Sequence, residues 1–179
     1  MSGTLKNKKV AFLVANEGIE QVELTEPWNA VIEAGATAHL IAPKDGTAQA
    51  FNHLDKAEIF EVDATTQNAD PGDYDAVVLP GGVANPDQLR TDDAAVRFVQ
   101  AIADAGRPIA AICHGPWTLI EAGVVSGKRM TSWPSLQTDL RNAGATWVDE
   151  KVVIDGHLIT SRKPDDLDAF CSELIAALS

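Results

Sequence analysis

A cysteine and a histidine stand side by side in the segment Ala-Ile-Cys-His-Gly-Pro, residues 111–116. The apolar residues before Cys113 are typical of a buried strand, and Gly115 with the proline after it indicates the start of a helix. Cys113 is therefore expected on a sharp strand-to-helix turn, the nucleophile-elbow arrangement of many hydrolases. Such a turn pushes the sulfur into a crevice and aims backbone N–H groups at it. Those dipoles lower the pKa of a thiol and can hold an oxyanion.

His114 is the natural general base or thiolate partner for this cysteine. Sequence neighbours do not face each other on a regular element, so the pair requires an irregular turn and a third group that orients the imidazole. Two alternatives stay open at this point. Cys113 could be a small buried hydrophobe, as free cysteines often are, and His114 could face solvent at a helix start. The position of Cys113 at a strand end favours the catalytic interpretation.

Three glutamates, Glu17, Glu20 and Glu23, follow the first apolar run of the chain. A carboxyl group beside a thiol has two roles: when protonated it donates a hydrogen bond to the thiolate, and when ionised it accepts a proton. Glutamates in a first helical turn also favour the helix macrodipole without any part in catalysis. For any single glutamate that plain role is the simpler interpretation, but we expect one of the three to matter at the thiol.

A Pro-Gly-Gly turn at residues 80–82 ends another apolar run. Two glycines allow a backbone N–H to approach a ligand closely, as the second half of an oxyanion site requires. Gly82 is the candidate donor, with Gly81 beside it. Asp87 follows in the same loop and could orient a histidine. Taken alone, Pro-Gly-Gly is also an ordinary turn.

The second thiol, Cys171, falls on the apolar stripe of the last predicted helix, which indicates a core position. No Cys/His cluster in the sequence has metal-ligand spacing. No phosphate-binding glycine loop of the GxGxxG or GxxxxGK kind is present. The sequence therefore predicts neither a metal nor a cofactor.

Alternating apolar runs and helical patterns predict the elements that position these residues. The predicted strands are residues 10–15, 38–42, 48–51, 58–62, 76–79, 108–112, 152–154 and 157–160, the last two joined by a hairpin turn at Asp155-Gly156. Helices are predicted around residues 24–32 with Pro27 near the start or at a bend, from Thr91 or Asp92 to Gly106, over residues 115–122, and after Pro164.

This alternation predicts one α/β domain over residues 1–179, with a mainly parallel sheet and helices on both faces. In such sheets, sites form at the carboxyl ends of the strands. The segments 16–23, 80–90 and 113–117 occupy those ends. We expect them to meet in one pocket, to which Trp117 also contributes.

Composition and charge restrict the class of protein. Of 179 residues, 45% are hydrophobic and 22% charged, which is ordinary for a folded domain and excludes a disordered chain. The net charge of −12 repels phosphate backbones, so nucleic acid and anionic membranes are poor partners. The polar start shows no signal-peptide core, and no apolar run could span a bilayer. Two cysteines make no disulfide framework, so we expect a cytoplasmic protein.

Four segments together resemble the PfpI-type intracellular protease family, a branch of the ThiJ/PfpI superfamily that includes the Parkinson-disease-associated deglycase. The segments are residues 111–116, Leu-Pro-Gly-Gly at 79–82, Asn-Glu-Gly-Ile-Glu-Gln-Val-Glu at 16–23 and Thr-Ser-Arg-Lys-Pro-Asp-Asp-Leu at 160–167. Each is modest alone, but the combination is specific and the resemblance extends from about Lys9 to the C-terminus. It implies a flavodoxin-like three-layer sandwich related to the class I glutamine amidotransferase domain.

The resemblance also implies roles for individual residues. Cys113 matches the family nucleophile and His114 the adjacent histidine of the PfpI branch. Glu23, four residues before Pro27, matches the glutamate that hydrogen-bonds the thiol. Gly82 and the backbone of His114 match the oxyanion donors.

The PfpI branch completes a triad with an acidic residue from a neighbouring subunit, which implies a homodimer or a higher homo-oligomer. Asp87 occupies that position here, where the archetype has glutamate. The segment between the glycines and the acid is also one residue longer, with Val-Ala-Asn at 83–85 before Pro86. Both departures affect the match to the family triad more than the match to the family nucleophile.

The superfamily has been assigned peptidase, deglycase, cofactor-free glyoxalase, chaperone and redox-response activities, and the motifs do not choose among them. We expect a stress-related cysteine hydrolase that acts on glycated protein or small reactive-aldehyde adducts, or as an intracellular peptidase, with detoxification favoured over bulk proteolysis. The alternative is a redox-responsive stress protein or chaperone whose Cys113 is oxidised to sulfenic or sulfinic acid without significant turnover.

Overall fold

The computed structural model describes residues 5–179, and its strands follow the apolar runs of the sequence. In chain order they are β1 (Lys9–Leu13), β2 (Glu17–Glu20), β3 (Thr37–Ala42), β4 (Thr47–Asn52), β5 (Asp55–Glu61), β6 (Ala64–Thr65), β7 (Ala76–Leu79), β8 (Ile109–Ile112), β9 (Arg129–Met130), β10 (Thr146–Trp147), β11 (Val152–Asp155) and β12 (Leu158–Ser161). Seven of them form the central sheet, in the order β11-β12-β8-β7-β1-β3-β6. Every neighbouring pair in it is parallel except β11 with β12.

Helices connect these strands on both sides of the central sheet. They are α1 (Gln21–Glu33), α2 (Ala84–Leu89), α3 (Asp93–Asp104), α4 (Pro116–Glu121), α5 (Gln137–Asn142) and α6 (Leu167–Leu178), with short 3-10 turns at Pro71–Asp73, Pro134–Leu136 and Pro164–Asp166. Asp92 caps α3 by accepting a hydrogen bond from the Ala95 N–H, as its sequence position predicts. No helix within residues 5–179 has both the length and the hydropathy needed to cross a membrane.

Two apolar cores lie on opposite faces of the sheet, which makes the architecture a three-layer sandwich. Side chains alternate along β1: Val10 and Phe12 join the core that contains residues of α1 and α6. Ala11 and Leu13 join the core that contains residues of α3, α4 and α5. The predicted α/β fold with a mainly parallel sheet is therefore confirmed.

A second, three-stranded sheet lies beside the first core and was only partly predicted. It has the order β2-β4-β5, with β2 parallel to β4 and β4 antiparallel to β5. The β4 and β5 strands correspond to the runs at residues 48–51 and 58–62. The β2 strand was not predicted, because Glu-Gly-Ile-Glu has no strand pattern of its own and becomes extended by pairing with β4.

Several element boundaries differ from the predictions. β1 ends at Leu13 rather than at residue 15. In the β11–β12 hairpin, Asp155 pairs with Leu158, so the turn residues are Gly156 and the histidine after it rather than Asp155-Gly156. Asp155 stays in the strand, where its side chain accepts a hydrogen bond from the Arg129 N–H at 2.8 Å. The short helix α2 was not predicted at all.

Candidate active site

The carboxyl ends of β7 and β8 and the first turn of α1 meet at one point of the sheet. Cys113 directly follows β8, and Gly81 and Gly82 follow β7 after a single proline. Glu23 enters from α1 on the face that carries the first apolar core. The structure thus brings the predicted thiol, one of the three glutamates and both glycines together, and the thiol itself belongs to that core.

The backbone at Cys113 is strained. Its φ angle is +63°, in the left-handed region that non-glycine residues rarely adopt. Two hydrogen bonds hold it there: the Cys113 N–H donates to the Ser161 carbonyl at 3.1 Å, and the Cys113 carbonyl accepts from the Trp133 N–H at 2.9 Å. A Cβ on Gly115 would lie 2.5 Å from the Leu79 carbonyl oxygen, so only glycine fits the turn that follows. This is the predicted strand-to-helix elbow.

Glu23 is a fully buried carboxyl group at the thiol. Its Oε2 accepts a hydrogen bond from the Gly81 N–H at 2.7 Å, and the carboxyl group lies at the Cys113 side chain, with Oε1 buried and without a hydrogen-bond partner in residues 5–179. The pKa of Glu23 is raised to about 8, chiefly by burial and to a smaller extent by the charge of Glu20, while the hydrogen bond from the Gly81 N–H opposes the rise. Glu23 is therefore protonated at neutral pH and can donate its proton in a hydrogen bond to the sulfur.

The Cys113 thiol does not have the lowered pKa that its sequence position predicts. The side chain is only 6% exposed, and burial raises its pKa, with the Glu23 charge adding to the rise. Hydrogen bonds from the Gly82 and His114 N–H groups act in the opposite direction. The prediction missed the cost of burial, which outweighs the effect of the backbone dipoles. The contribution of the Glu23 charge disappears when that carboxyl group is protonated.

Two backbone N–H groups converge on the sulfur, those of Gly82 and His114. Neither donates to another backbone or side-chain acceptor within residues 5–179. Gly82 has φ +82°, and a Cβ on Gly81 would lie 2.7 Å from the Cβ of Cys113. The glycines are therefore needed for the close approach of β7 to the thiol, and their N–H groups are free for a developing oxyanion.

His114 lies against the thiol and not in solvent. Its Nδ1 is 3.1 Å from the Cys113 sulfur, and the residue is 7% exposed. The edge of Trp117 packs on the imidazole with ring centroids 5.1 Å apart, and Trp133 stacks on it at 5.9 Å and 22°. Burial lowers the pKa of His114 to about 4, so the ring is neutral at physiological pH. The solvent-facing alternative is thereby excluded.

The other predicted site residues lie further from the sulfur. Glu17 accepts a hydrogen bond from the Gln88 side chain at 3.1 Å, and Glu20 accepts one from the His53 N–H at 3.1 Å. Both belong to β2, and their carboxylates are engaged by a side chain of α2 and by the β4–β5 turn rather than by the thiol. Asp87 is exposed on α2, and its side chain makes no hydrogen bond or ion pair within the described part of the chain.

Two residues of the site were not found from the sequence. Asn85 is fully buried, and its side-chain amide donates to the carbonyls of Pro80 and Gly81, each at 3.1 Å. Its Oδ1 accepts from the Ala15 N–H at 2.6 Å, so it joins the ends of β1 and β7. Trp133, which stacks on the catalytic-site imidazole, is the second. Neither residue belongs to a pattern that identifies it, because each acts through contacts distant in sequence.

Within residues 5–179 no group of three or more His, Cys, Asp or Glu side chains is arranged to hold a metal ion. The described site offers a thiol, an imidazole, a carboxyl group and two backbone N–H groups. These groups can add a sulfur nucleophile to an electrophilic carbon and stabilise the resulting oxyanion.

Curated relatives match almost the whole chain. It is 40% identical over 170 residues to deglycase PH1704 of Pyrococcus horikoshii, covering 95% of this chain and 99% of the relative. It is 39% identical to YraA of Bacillus subtilis, which is provisionally named a cysteine protease, over 96% of this chain and 99% of that one. General stress protein 18 of Bacillus subtilis is 41% identical, with 96% and 98% covered.

Solved structures agree with the fold. The chain superposes with a TM-score of 0.89 on a two-domain protein from Anabaena variabilis with DJ-1/ThiJ/PfpI-like and ferritin-like domains, at 37% identity over 96% of this chain and 48% of that chain. With DJ-1beta of Drosophila melanogaster the TM-score is 0.85 at 28% identity, over 96% and 90%. The model of the DJ-1/PfpI family matches residues 8–177. The resemblance seen in the sequence is thereby confirmed, and the chain belongs to the DJ-1/PfpI family.

Proposed function

We propose that this protein is a cysteine-dependent hydrolase that removes reactive-aldehyde adducts from amino groups, a deglycase-type activity. One observation carries the proposal: a carboxyl group, an imidazole and two free backbone N–H groups all converge on the sulfur of Cys113. A structural cysteine needs none of these partners, because a thiol is well accommodated in an apolar core. The arrangement fits attack on a carbon that bears oxygen.

The relatives support a hydrolase and favour this substrate class. Those at about 40% identity are named deglycases or, provisionally, a cysteine protease. Both activities need a sulfur nucleophile and a stabilised oxyanion. The low exposure of Cys113 favours a small adduct over an extended peptide, which would need an open groove at the thiol. A stress setting is supported by the relative named general stress protein 18.

In the proposed first step, the sulfur attacks the carbinol carbon that joins the aldehyde fragment to the amine. The carbon–sulfur bond forms as the carbon–nitrogen bond breaks, and the thiol proton passes through Nδ1 of His114, 3.1 Å from the sulfur, to the leaving amine. A proton then moves from this carbon to the neighbouring carbonyl carbon through an enediolate, whose oxygen accepts hydrogen bonds from the Gly82 and His114 N–H groups, and the product is a thioester. Water hydrolyses the thioester, which releases a hydroxy acid and restores the thiol.

The basicity of His114 points to a further participant in this step. With a pKa near 4, the imidazole of a single chain is a weak base for a buried thiol. A carboxylate at its outer nitrogen would raise that pKa by favouring the imidazolium form. We propose that Asp87 of the partner subunit in a homo-oligomer supplies it. Asp87 is exposed and its side chain is free of hydrogen bonds within residues 5–179, so it is available for such a contact.

The test is turnover of a methylglyoxal-modified peptide, followed as release of the free amine by mass spectrometry. Replacing Cys113 with serine should lower the rate by about 10⁴-fold, because hydroxyl cannot replace thiol as the nucleophile here. Cys171→Ser is the matched control and should keep the wild-type rate. Asp87→Asn should lower the rate while leaving the oligomer intact by light scattering. A Cys113→Ser variant as active as Cys171→Ser would contradict the proposal.

A second function is favoured by the same hydrogen-bond donors. The protonated Glu23 carboxyl group and the two backbone N–H groups could also donate to an oxygen on an oxidised sulfur. In that case peroxide would transfer an oxygen atom to Cys113 and release water, and the protein would be a redox-responsive stress protein. Selective oxidation of Cys113 without any turnover of aldehyde adducts would support this function over the hydrolase.

A further inference from the structure

Trp133 is a large aromatic side chain at the site, 38% exposed, with no role in the proposed chemistry. It follows β9 and a short loop, far in sequence from the elbow. Its backbone N–H donates to the Cys113 carbonyl at 2.9 Å, and its ring lies nearly parallel to the His114 ring at 22°. One residue therefore contacts both members of the catalytic pair, the first through its backbone and the second through its ring.

A chain of hydrogen bonds fixes Trp133 from behind. The indole N–H of Trp147 donates to the Ser132 hydroxyl oxygen at 2.9 Å. The Ser132 hydroxyl in turn donates to the Trp133 carbonyl at 2.8 Å. Ser132 is fully buried, so water does not compete for these bonds. The backbone of Trp133 is thus held on both sides, its N–H by Cys113 and its carbonyl by the Ser132 hydroxyl and the Leu136 N–H, which leaves the ring little freedom to move away from His114.

A second tryptophan, Trp117, also packs on the imidazole, at a steep angle of 66°, and is itself held in place. Its indole N–H donates to Asp139 at 3.0 Å, and the Arg90 guanidinium lies over its ring at 5.8 Å. The His114 ring therefore contacts two tryptophans that are each anchored by a polar contact. The imidazole therefore cannot rotate about its side-chain bonds without displacing one of the two tryptophan rings.

We propose that Trp133, held by Ser132 and Trp147, is a positioning residue that keeps the His114 imidazole against the thiol and shields it from water. The inference rests on the proposed function in one respect, because it assumes that His114 carries the thiol proton. Without the ring, the imidazole would gain water and rotational freedom, and Nδ1 would leave the sulfur for part of the time. Proton transfer between Cys113 and His114 would then be slower.

The groups around His114 indicate that Trp133 affects the imidazole by keeping water away from it. Cys113 contacts the imidazole at the elbow, the Glu23 carboxyl group lies at that thiol, and the Asp139 carboxylate and the Arg90 guanidinium contact Trp117. Only the Cys113 sulfur is within hydrogen-bond distance of the imidazole in residues 5–179. In the single chain, loss of the Trp133 ring should therefore move the titration of His114 from about pH 4 toward its ordinary value of 6.5. A partner Asp87 carboxylate in the oligomer would raise the midpoint of the wild type and of the variant alike, so the difference between the two is the quantity compared.

The experiment is an NMR titration of the histidine rings in the full-length protein, with the four histidines assigned by single replacement. Trp133→Ala should raise the His114 titration midpoint by about one pH unit or more, whereas Trp133→Phe, which keeps a stacking ring, should stay close to wild type. Trp147→Phe removes only the hydrogen bond to Ser132 and should give an intermediate shift. Trp28→Phe is the matched control, because the Trp28 ring packs on Phe12 at 5.0 Å.

An unchanged His114 titration in folded Trp133→Ala would overturn the inference, as would an equal shift in Trp133→Phe. If Trp133→Ala does not fold, Trp133→Leu takes its place, since leucine fills space without a stacking face. The readout is independent of any substrate. A shifted titration in a protein without turnover would refute the proposed hydrolase but leave the positioning role in place. Full turnover with an unshifted His114 titration would support the proposed hydrolase but refute the positioning role of Trp133.

Discussion

The pKa of both cysteines in this chain is raised, but the two residues differ in backbone conformation, burial and polar partners. Burial raises the pKa of both thiols, to about 11 for Cys171 with added contributions from the charges of Glu26 and Asp168. Cys171 lies on the regular backbone of α6 and packs at the edge of the first core. Cys113 has a left-handed backbone and is the more deeply buried of the two.

The comparison shows that the partners of the sulfur, and not its exposure, distinguish a nucleophile from a core thiol. Cys171 has two carboxylates nearby, which only oppose its ionisation. Cys113 has a protonated carboxyl group and an imidazole, which can give or take a proton at the sulfur, and two backbone N–H groups, which donate hydrogen bonds to it. We therefore expect Cys113 to be the reactive thiol despite its deeper burial.

The largest expected effect is on the pH dependence of stability. It should depend on Glu23, beside Cys113, and not on Glu26, near Cys171. The folded-state pKa of Glu23, about 8, lies above its ordinary 4.5, so between these values the folded protein holds a proton that the unfolded chain has released. Stability is therefore full below pH 4.5 and falls as pH rises to 8, by about 1.4 kcal/mol per pH unit. Urea unfolding across this range measures the slope.

Glu23→Gln cannot titrate, so this fall in stability should be absent from the variant. Glu26→Gln, at the exposed carboxylate near Cys171, is the matched control and should keep the wild-type slope. Equal slopes in the two variants would show that the buried carboxyl group is not the protonated partner of Cys113.

A smaller effect is expected from a methyl group added between β7 and the thiol. In Gly81→Ala the new Cβ would lie 2.7 Å from the Cys113 Cβ and 2.9 Å from the Ile112 carbonyl oxygen. Forcing these atoms apart should lower the free energy of unfolding by about 3 kcal/mol and displace the thiol from its donors. Denaturant unfolding measures the first effect, and the alkylation rates of the two cysteines measure the second.

Gly123→Ala controls for the loss of a glycine as such. Gly123 has φ +71°, but nothing lies within 4 Å of the added Cβ, so the cost is that of the backbone alone, about 1 kcal/mol. The variant should leave both cysteines unchanged. If Gly81→Ala costs no more than this control, the close approach of β7 to Cys113 is not what the glycine provides.

Much of the fold could be predicted because its signals are local. The apolar run of β7, the capped start of α3 at Asp92 and the stripe of α6 each depend on residues close in sequence, and the structure has all three. The elbow at Cys113 is local in the same way, since a strand, a glycine and a proline follow one another within a few residues.

The parts that could not be predicted depend on contacts between distant segments. The β2 strand is extended only because β4 lies beside it, and Asn85 matters only because β1 and β7 end on either side of it. The same holds for Trp133, which reaches His114 from a loop across the sheet. The rise in the pKa of Cys113 could not be predicted either, because burial is a property of the packed structure.

The most direct test of the account sets the two thiols against each other in one sample. Folded wild-type protein is treated with a limiting amount of iodoacetamide at neutral pH, and the modification of each cysteine is followed by peptide mass spectrometry. The account predicts that Cys113 reacts at least about tenfold faster, although Cys171 is the more exposed thiol. A Cys171 that reacts as fast as Cys113, or faster, would show that exposure governs reactivity and would contradict the assignment of Cys113 as the nucleophile.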